Sequence, residues 1–296
     1  MPSYRASRLC LSLLALSTGA HALSVPFAPD KRAAAATAMT DAQMAAIKPY
    51  VFYESATYCR ASTLVPNWNC GAWCDANPDF KPVAAGGDNS GTQPLRLVEG
   101  FVGYDPKTQE VVVSHQGTDL RSIEQLIEDF NLVFTNLDST LFPGMSSDIK
   151  VYKGFQDAFK KRVSATDTLA AVQKAMSTFN TKKVVATGHS LGSAMALLES
   201  LYYHLNLPDA NVRFFGTGLP RVGNQAFADF IDAAPLSASF LTNARDIFPR
   251  PAPERQENGD QHCSVGEVSL LHQNVSAHNG PYGGINIGNT GCNIPN

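Results

Sequence analysis

Lys182-Lys-Val-Val-Ala-Thr-Gly188-His189-Ser190-Leu191-Gly192-Ser193-Ala-Met-Ala-Leu-Leu198 runs from an apolar, β-prone stretch through a glycine-flanked turn into a helix-forming stretch. G-x-S-x-G placed between a strand and a helix describes a nucleophile elbow. The turn forces its serine into a strained backbone conformation, so that the hydroxyl of Ser190 projects above the sheet edge. Glycines at 188 and 192 omit the β-carbons that would collide where strand and helix cross. The helix beginning at Ser190 directs its first N–H groups and its dipole at the same point, which favours negative charge there. A structural Gly/Ser turn is the simpler alternative, and the flanking strand and helix argue against it.

Outward from the elbow, strands and helices alternate. Upstream, Leu95 to Tyr104 and Glu110 to His115 are β-prone and joined by the turn Asp105-Pro-Lys-Thr108, which predicts an antiparallel hairpin. Phe155, Ala158, Phe159, Val163, Leu169, Val172 and Met176 follow helical spacing to about Asn180, with Ser164 to Asp167 as an interruption. Downstream, a helix to about His204 precedes a strand over Asn211 to Gly218, a short helix over Asn224 to Ile231 and a strand over Ser237 to Thr242. Near-continuous apolar strands alternating with helices predict an α/β fold with a mostly parallel central sheet covered on both faces. At the N-terminal side, Thr40-Asp-Ala-Gln43 reads as a capping box opening a helix over about 41–57, kinked or restarted by Pro49. Cys59 to Gly91 reads as loop, and Thr135 to Ser147 as polar and turn-rich.

The first residues have the form of a targeting segment. Arg5 and Arg8 precede an apolar run from Leu9 to Leu16, and Ala20-His21-Ala22 is a small-x-small site, which predicts a signal peptide over 1–22. The apolar run is too short to span a membrane. Leu23 to Arg32 ends in Lys31-Arg32 and is expected to be a pro-segment, leaving one catalytic domain over 33–296 without internal repeats or a linker. Loss of Arg5, Arg8, Lys31, Arg32 and Asp30 takes the formal charge from −3 to −6. Neither value suggests a nucleic-acid partner. Of the six cysteines, Cys10 leaves with the leader, and Cys59, Cys70, Cys74, Cys263 and Cys292 remain. In an oxidising compartment five cysteines suggest two disulfides and one leftover thiol, and Cys70 and Cys74 look like a small closed loop. A metal site at that pair lacks a second Cys or His pair nearby.

A nucleophilic serine needs a histidine base and a carboxylate to orient it, in the chain order Ser, Asp/Glu, His on this class of fold. Asp246 fits the carboxylate, because Asn243-Ala-Arg-Asp-Ile-Phe-Pro249 leaves the end of a strand; Asp209, Asp229 and Asp232 lie in turns or a helix. For the base, spacing leaves His262, His272 and His278 open. The oxyanion of acyl transfer needs two backbone N–H donors. Leu191 supplies one, and the Gly117-Thr118 turn after Glu110 to His115 is the expected source of the other, with the Thr118 hydroxyl as a third donor. Beyond that turn, Ile123, Leu126, Ile127 and Phe130 repeat at helical spacing on a segment bounded by Ser122 and Asn131.

These motifs, taken in order, carry a family resemblance. His115-Gln-Gly-Thr-Asp119, Gly154-Phe155, Thr187-Gly-His-Ser-Leu-Gly192, Thr217-Gly-Leu-Pro-Arg-Val-Gly-Asn224, Asn243 to Pro249, Ala277-His278 and Cys292 resemble the fungal class 3 lipases, a family that also includes feruloyl esterases. The resemblance implies an α/β-hydrolase fold and a triad of Ser190, Asp246 and His278. It implies an oxyanion hole at Thr118 and Leu191, disulfides Cys59–Cys292 and Cys70–Cys74, and an amphipathic lid over 122–129. One departure is the 31-residue gap between Asp246 and His278, which is shorter than the family pattern and has a polar, strandless stretch from Pro251 to Gln261.

The expected activity is therefore triacylglycerol hydrolysis by a secreted, monomeric serine esterase that needs no cofactor or metal. Its partners are a lipid–water interface and the ester substrate, with no transmembrane segment. The apolar lid face favours long-chain glycerides over a feruloyl-type ester, the alternative substrate. Asn274-Val-Ser276 is an N-glycosylation acceptor.

Overall fold

The computed structural model describes residues 39–86, 100–118, 133–161, 164–243 and 278–292. The expected signal peptide and pro-segment, the lid residues Ile123, Leu126, Ile127 and Phe130, and Asp246, His262, Cys263, His272 and Asn274 lie outside the described residues.

Helix α1 spans Asp41–Ala56. Its capping box is formed: Thr40 Oγ1 accepts from the Gln43 N–H at 3.2 Å, and Gln43 Oε1 accepts from the Thr40 N–H at 2.9 Å. The helix runs unbroken past Pro49. The expected loop after it contains regular elements: α2 (Ala61–Leu64), α3 (Ala72–Asp75) and strand β1 (Lys81–Gly86). Strand β1 pairs antiparallel with β2 (Gly100–Asp105), and the register shifts between Pro82 and Ala84. Its Lys-Pro-Val-Ala-Ala-Gly sequence has little β-propensity. It forms a strand because it lies at a sheet edge, where a proline without an N–H is tolerated.

Strand β2 turns back into β3 (Glu110–His115) as the predicted hairpin, and β3 pairs in parallel with β6 (Lys183–His189). Parallel pairing continues to β7 (Asn211–Thr217) and β8 (Ser237–Leu241), giving the order β1-β2-β3-β6-β7-β8. A separate two-stranded ribbon joins β4 (Phe134–Asn136) to β5 (Lys150–Tyr152). Between β5 and β6 lie helices α4 (Lys153–Lys161) and α5 (Ser164–Phe179); Ser164 to Asp167, where an interruption was expected, are instead helical and open α5. Helix α6 (Leu191–Asn206) follows the elbow, and α7 (Gln225–Ala233) connects β7 to β8.

Alternation along the central strands divides the core between the two faces. Val111, Val113, Val184, Ala186, Val212 and Phe214 meet α4 to α7 through residues such as Phe159, Val172, Met195, Leu198 and Phe227. Val112, Val185 and Phe215 face the other way and pack with Tyr50, Val51 and Tyr53 of α1 and with Leu64, Trp68 and Phe80. The sheet is thus covered on both faces by helices. Two disulfides tie the second layer: Cys59–Cys292, 233 residues apart in sequence, and Cys70–Cys74. Among the described residues no helix is long and apolar enough to cross a membrane, and no His, Cys, Asp and Glu cluster is arranged to hold a metal ion.

Candidate active site

Ser190 sits between β6 and α6 with φ 57° and ψ −124°, a left-handed conformation that a non-glycine residue adopts only under constraint. The constraint is close packing. A β-carbon at Gly188 would lie 2.4 Å from the carbonyl carbon and oxygen of Gly192, so the first turn of α6 fits against β6 only with glycine there. The Ser190 N–H donates to the Thr217 carbonyl at 3.0 Å, which pins the elbow to the end of β7.

The Gly117-Thr118 turn reaches this point from β3. A β-carbon at Gly117 would lie 3.1 Å from Ser190 Cβ, so the turn runs directly beside the serine. The Thr118 hydroxyl is buried and has no hydrogen-bond partner among the described residues. Leu191 is the first residue of α6, and an N–H at that position has no acceptor within its own helix. An oxygen bearing developing negative charge beside Ser190 would therefore meet neutral donors already fixed by the fold.

His278 is fully buried, with its ring against Gly218: a β-carbon there would lie 2.8 Å from the ring's Cε1. Its backbone is held twice. His189 Nε2 donates to the His278 carbonyl at 2.8 Å, and the Tyr282 hydroxyl donates to the same oxygen at 2.9 Å. Because a carbonyl only accepts, the proton of the His189 ring is on Nε2, and Nδ1 accepts from the Tyr58 hydroxyl at 2.9 Å. Burial, followed by the nearby His278, holds the His189 pKa well below the usual imidazole value, so this ring stays neutral. The ring centroids of His189 and His278 are 4.8 Å apart.

Beneath the elbow lies a carboxyl that sequence reading passed over. Glu54 of α1 is fully buried and accepts from the Thr187 hydroxyl at 2.7 Å and the Thr217 hydroxyl at 2.5 Å. Burial pushes its pKa from 4.5 up to about 8, against the opposing effect of hydrogen bonds from both threonines and the Gly188 N–H. The folded chain therefore binds this proton more tightly than the unfolded chain does. The contribution to stability is complete below pH 4.5 and is lost as pH rises towards 8. Wild type is expected to lose stability between pH 5 and 8 relative to Glu54→Gln, by at most about 1.4 kcal/mol per pH unit. Urea midpoints of both proteins at several pH values check this; parallel curves would contradict it.

A second buried pair braces the strand leading to Thr118. His115 Nε2 and Glu199 of α6 form a short hydrogen-bonded contact, with both side chains buried. His115, His189, Glu54 and Glu199 had a sequence signal only in retrospect: each is a polar residue inside an apolar run destined for the core. Of the expected site residues, the structure brings Ser190, Leu191, Thr118 and His278 to the ends of β3, β6 and β7; Asp246 is outside the described residues.

Comparison with known proteins agrees with this architecture. Residues 112–256 match the family model described as Lipase (class 3). The secreted mono- and diacylglycerol lipase LIP4 of Malassezia restricta is 34% identical over 163 residues, covering 54% of this chain and 52% of that protein. LIP2 of the same organism, also a secreted mono- and diacylglycerol lipase, is 33% identical over 192 residues, covering 64% and 58%. The chain thus spans little more than half the length of these relatives. A solved triacylglycerol lipase whose catalytic centre is a serine protease triad superimposes with a TM-score of 0.61 at 27% identity, over 73% of this chain and 77% of that one.

Proposed function

The chain belongs to the class 3 lipase family, and from that premise we propose that it is a secreted serine esterase that hydrolyses acylglycerols through an acyl-enzyme. The observation that carries this reading is Ser190, held at φ 57° beside Gly117 with the His278 ring packed against the neighbouring Gly218. In the proposed reaction Ser190 Oγ attacks the ester carbonyl while His278 takes its proton. The carbonyl oxygen gains the electron pair and is held by the N–H groups of Thr118 and Leu191, with the Thr118 hydroxyl as a further donor. Collapse expels the alcohol, which leaves with the proton from His278. Water then repeats the sequence on the acyl-enzyme, releasing the fatty acid. Asp246 is assigned to orient His278 and stabilise its charged form.

Triacylglycerols are the expected substrates, in keeping with the solved triacylglycerol lipase. The names of LIP4 and LIP2 favour a second reading in which mono- and diacylglycerols are preferred. The apolar face of Ile123, Leu126, Ile127 and Phe130 supports a lid that moves from the site onto lipid. Rates for long-chain mono-, di- and triglycerides, followed through the solubility limit with a feruloyl ester as control, test the proposal. An upturn past that limit and glyceride cleavage faster than feruloyl cleavage are expected. The order among the three glycerides decides between the two acylglycerol readings. No upturn combined with faster feruloyl cleavage would replace both with the feruloyl-esterase one.

A further inference from the structure

The reaction just described uses the hydroxyl of Ser190 but does not account for what fixes the strained backbone carrying it. We infer that Glu54 is a positioning residue for the elbow, its buried carboxyl joining the end of β6 to the end of β7 beneath Ser190; this rests on the reading of Ser190 as the nucleophile. Thr187 lies on β6 three residues before Ser190, and its hydroxyl donates to one oxygen of the Glu54 carboxyl. Thr217, at the end of β7, donates its hydroxyl to the second carboxyl oxygen, while its own carbonyl accepts the Ser190 N–H. A continuous set of directional bonds therefore runs from α1 through both strand ends to the serine backbone.

The placement is too costly for a residue that only fills space. A carboxyl with no exposure to water is unfavourable unless its oxygens are hydrogen-bonded, and an apolar side chain would carry no such requirement. What an apolar side chain lacks is direction. Threonine hydroxyls donate or accept, so the links persist whether or not the carboxyl carries its proton. A shift of the nucleophile by about 1 Å costs about 100-fold in rate, so the expected effect is on acylation and not on substrate affinity.

The test compares wild type, Glu54→Gln and the triple variant Glu54→Leu, Thr187→Val, Thr217→Val. Glutamine keeps one acceptor and one donor at the same place. The triple variant removes the links yet leaves no buried polar group of its own unsatisfied. Active sites are titrated with an alkyl phosphonate ester, and acylation by a soluble ester is followed per titrated site. Glu54→Gln is expected within about threefold of wild type, and the triple variant about tenfold or more slower, with KM changed less than about twofold. A triple variant within about threefold of wild type would show Glu54 to be packing only and overturn the inference, as would Glu54→Gln slowing as far as the triple. If the triple variant does not fold, Thr217→Val alone is held to the same thresholds. Failure of the phosphonate to label wild type would instead defeat the Ser190 reading, and the inference with it.

Discussion

Ser190→Ala is expected to lower ester hydrolysis by about 10⁴-fold or more while leaving the fold intact. The two halves of this expectation have separate physical grounds. Without the hydroxyl there is no acyl-enzyme, and the donors around Thr118 and Leu191 can assist only attack by water. Stability should change by less than about 1 kcal/mol, since the serine side chain makes no capping bond to α6 and alanine keeps its β-carbon. The bonds that Ser190 itself makes, from its N–H to the Thr217 carbonyl and from Ser193 and Ala194 to its carbonyl, are backbone bonds that alanine keeps. Kinetics on a soluble ester, with circular dichroism and a thermal melt on the same preparation, check both halves. One tenth of wild-type activity surviving in purified protein would end the assignment.

Glu199→Ala should produce the largest loss of stability among single changes near the site, about 3–4 kcal/mol. The substitution removes a partner of a buried imidazole and leaves a cavity where the Glu199 side chain packed between α6 and β3. Against a total stability of about 5–15 kcal/mol for a domain, that is a large fraction. Replacing both members, as His115→Phe with Glu199→Leu, should recover most of the loss, because a well-packed apolar pair removes the cost of burying two polar groups. Denaturant unfolding of the single and double variants measures the difference directly. A double variant no more stable than Glu199→Ala would mean that the pair does more than compensate for its own burial.

What the sequence made legible was periodicity and motif. The elbow from Lys182 to Leu198, the hairpin of β2 and β3 and the strands β7 and β8 are long apolar or β-branched runs whose local preferences agree with the fold. Strand β1 was not legible, because Lys81 to Gly86 has weak strand propensity and becomes a strand only through its pairing with β2. Glu54 was hidden for a related reason. A single acid in a helix reads as a solvated face, and its value comes from Thr187 and Thr217, more than a hundred residues away in sequence. His189 occupies the variable position of the motif, which fixes the glycines and the serine but says nothing about the carbonyl of His278. Local rules pointed to the proposed nucleophile, whereas the buried polar groups around it depend on contacts between distant parts of the chain.

The bond between Cys59 and Cys292 closes residues 59–292 into a covalent ring containing all eight described strands and both Ser190 and His278. A single peptide-bond break anywhere inside that ring, in 244–277 for example, releases no fragment. The two pieces remain one molecule, heavier than the intact chain by only a water. A protease could therefore abolish activity without changing the band on a non-reducing gel, and the nick would become visible only when thiol is added. Conversely, a chain cut within the ring retains its parts at fixed stoichiometry and in close proximity, so cleavage alone does not commit it to dissociation.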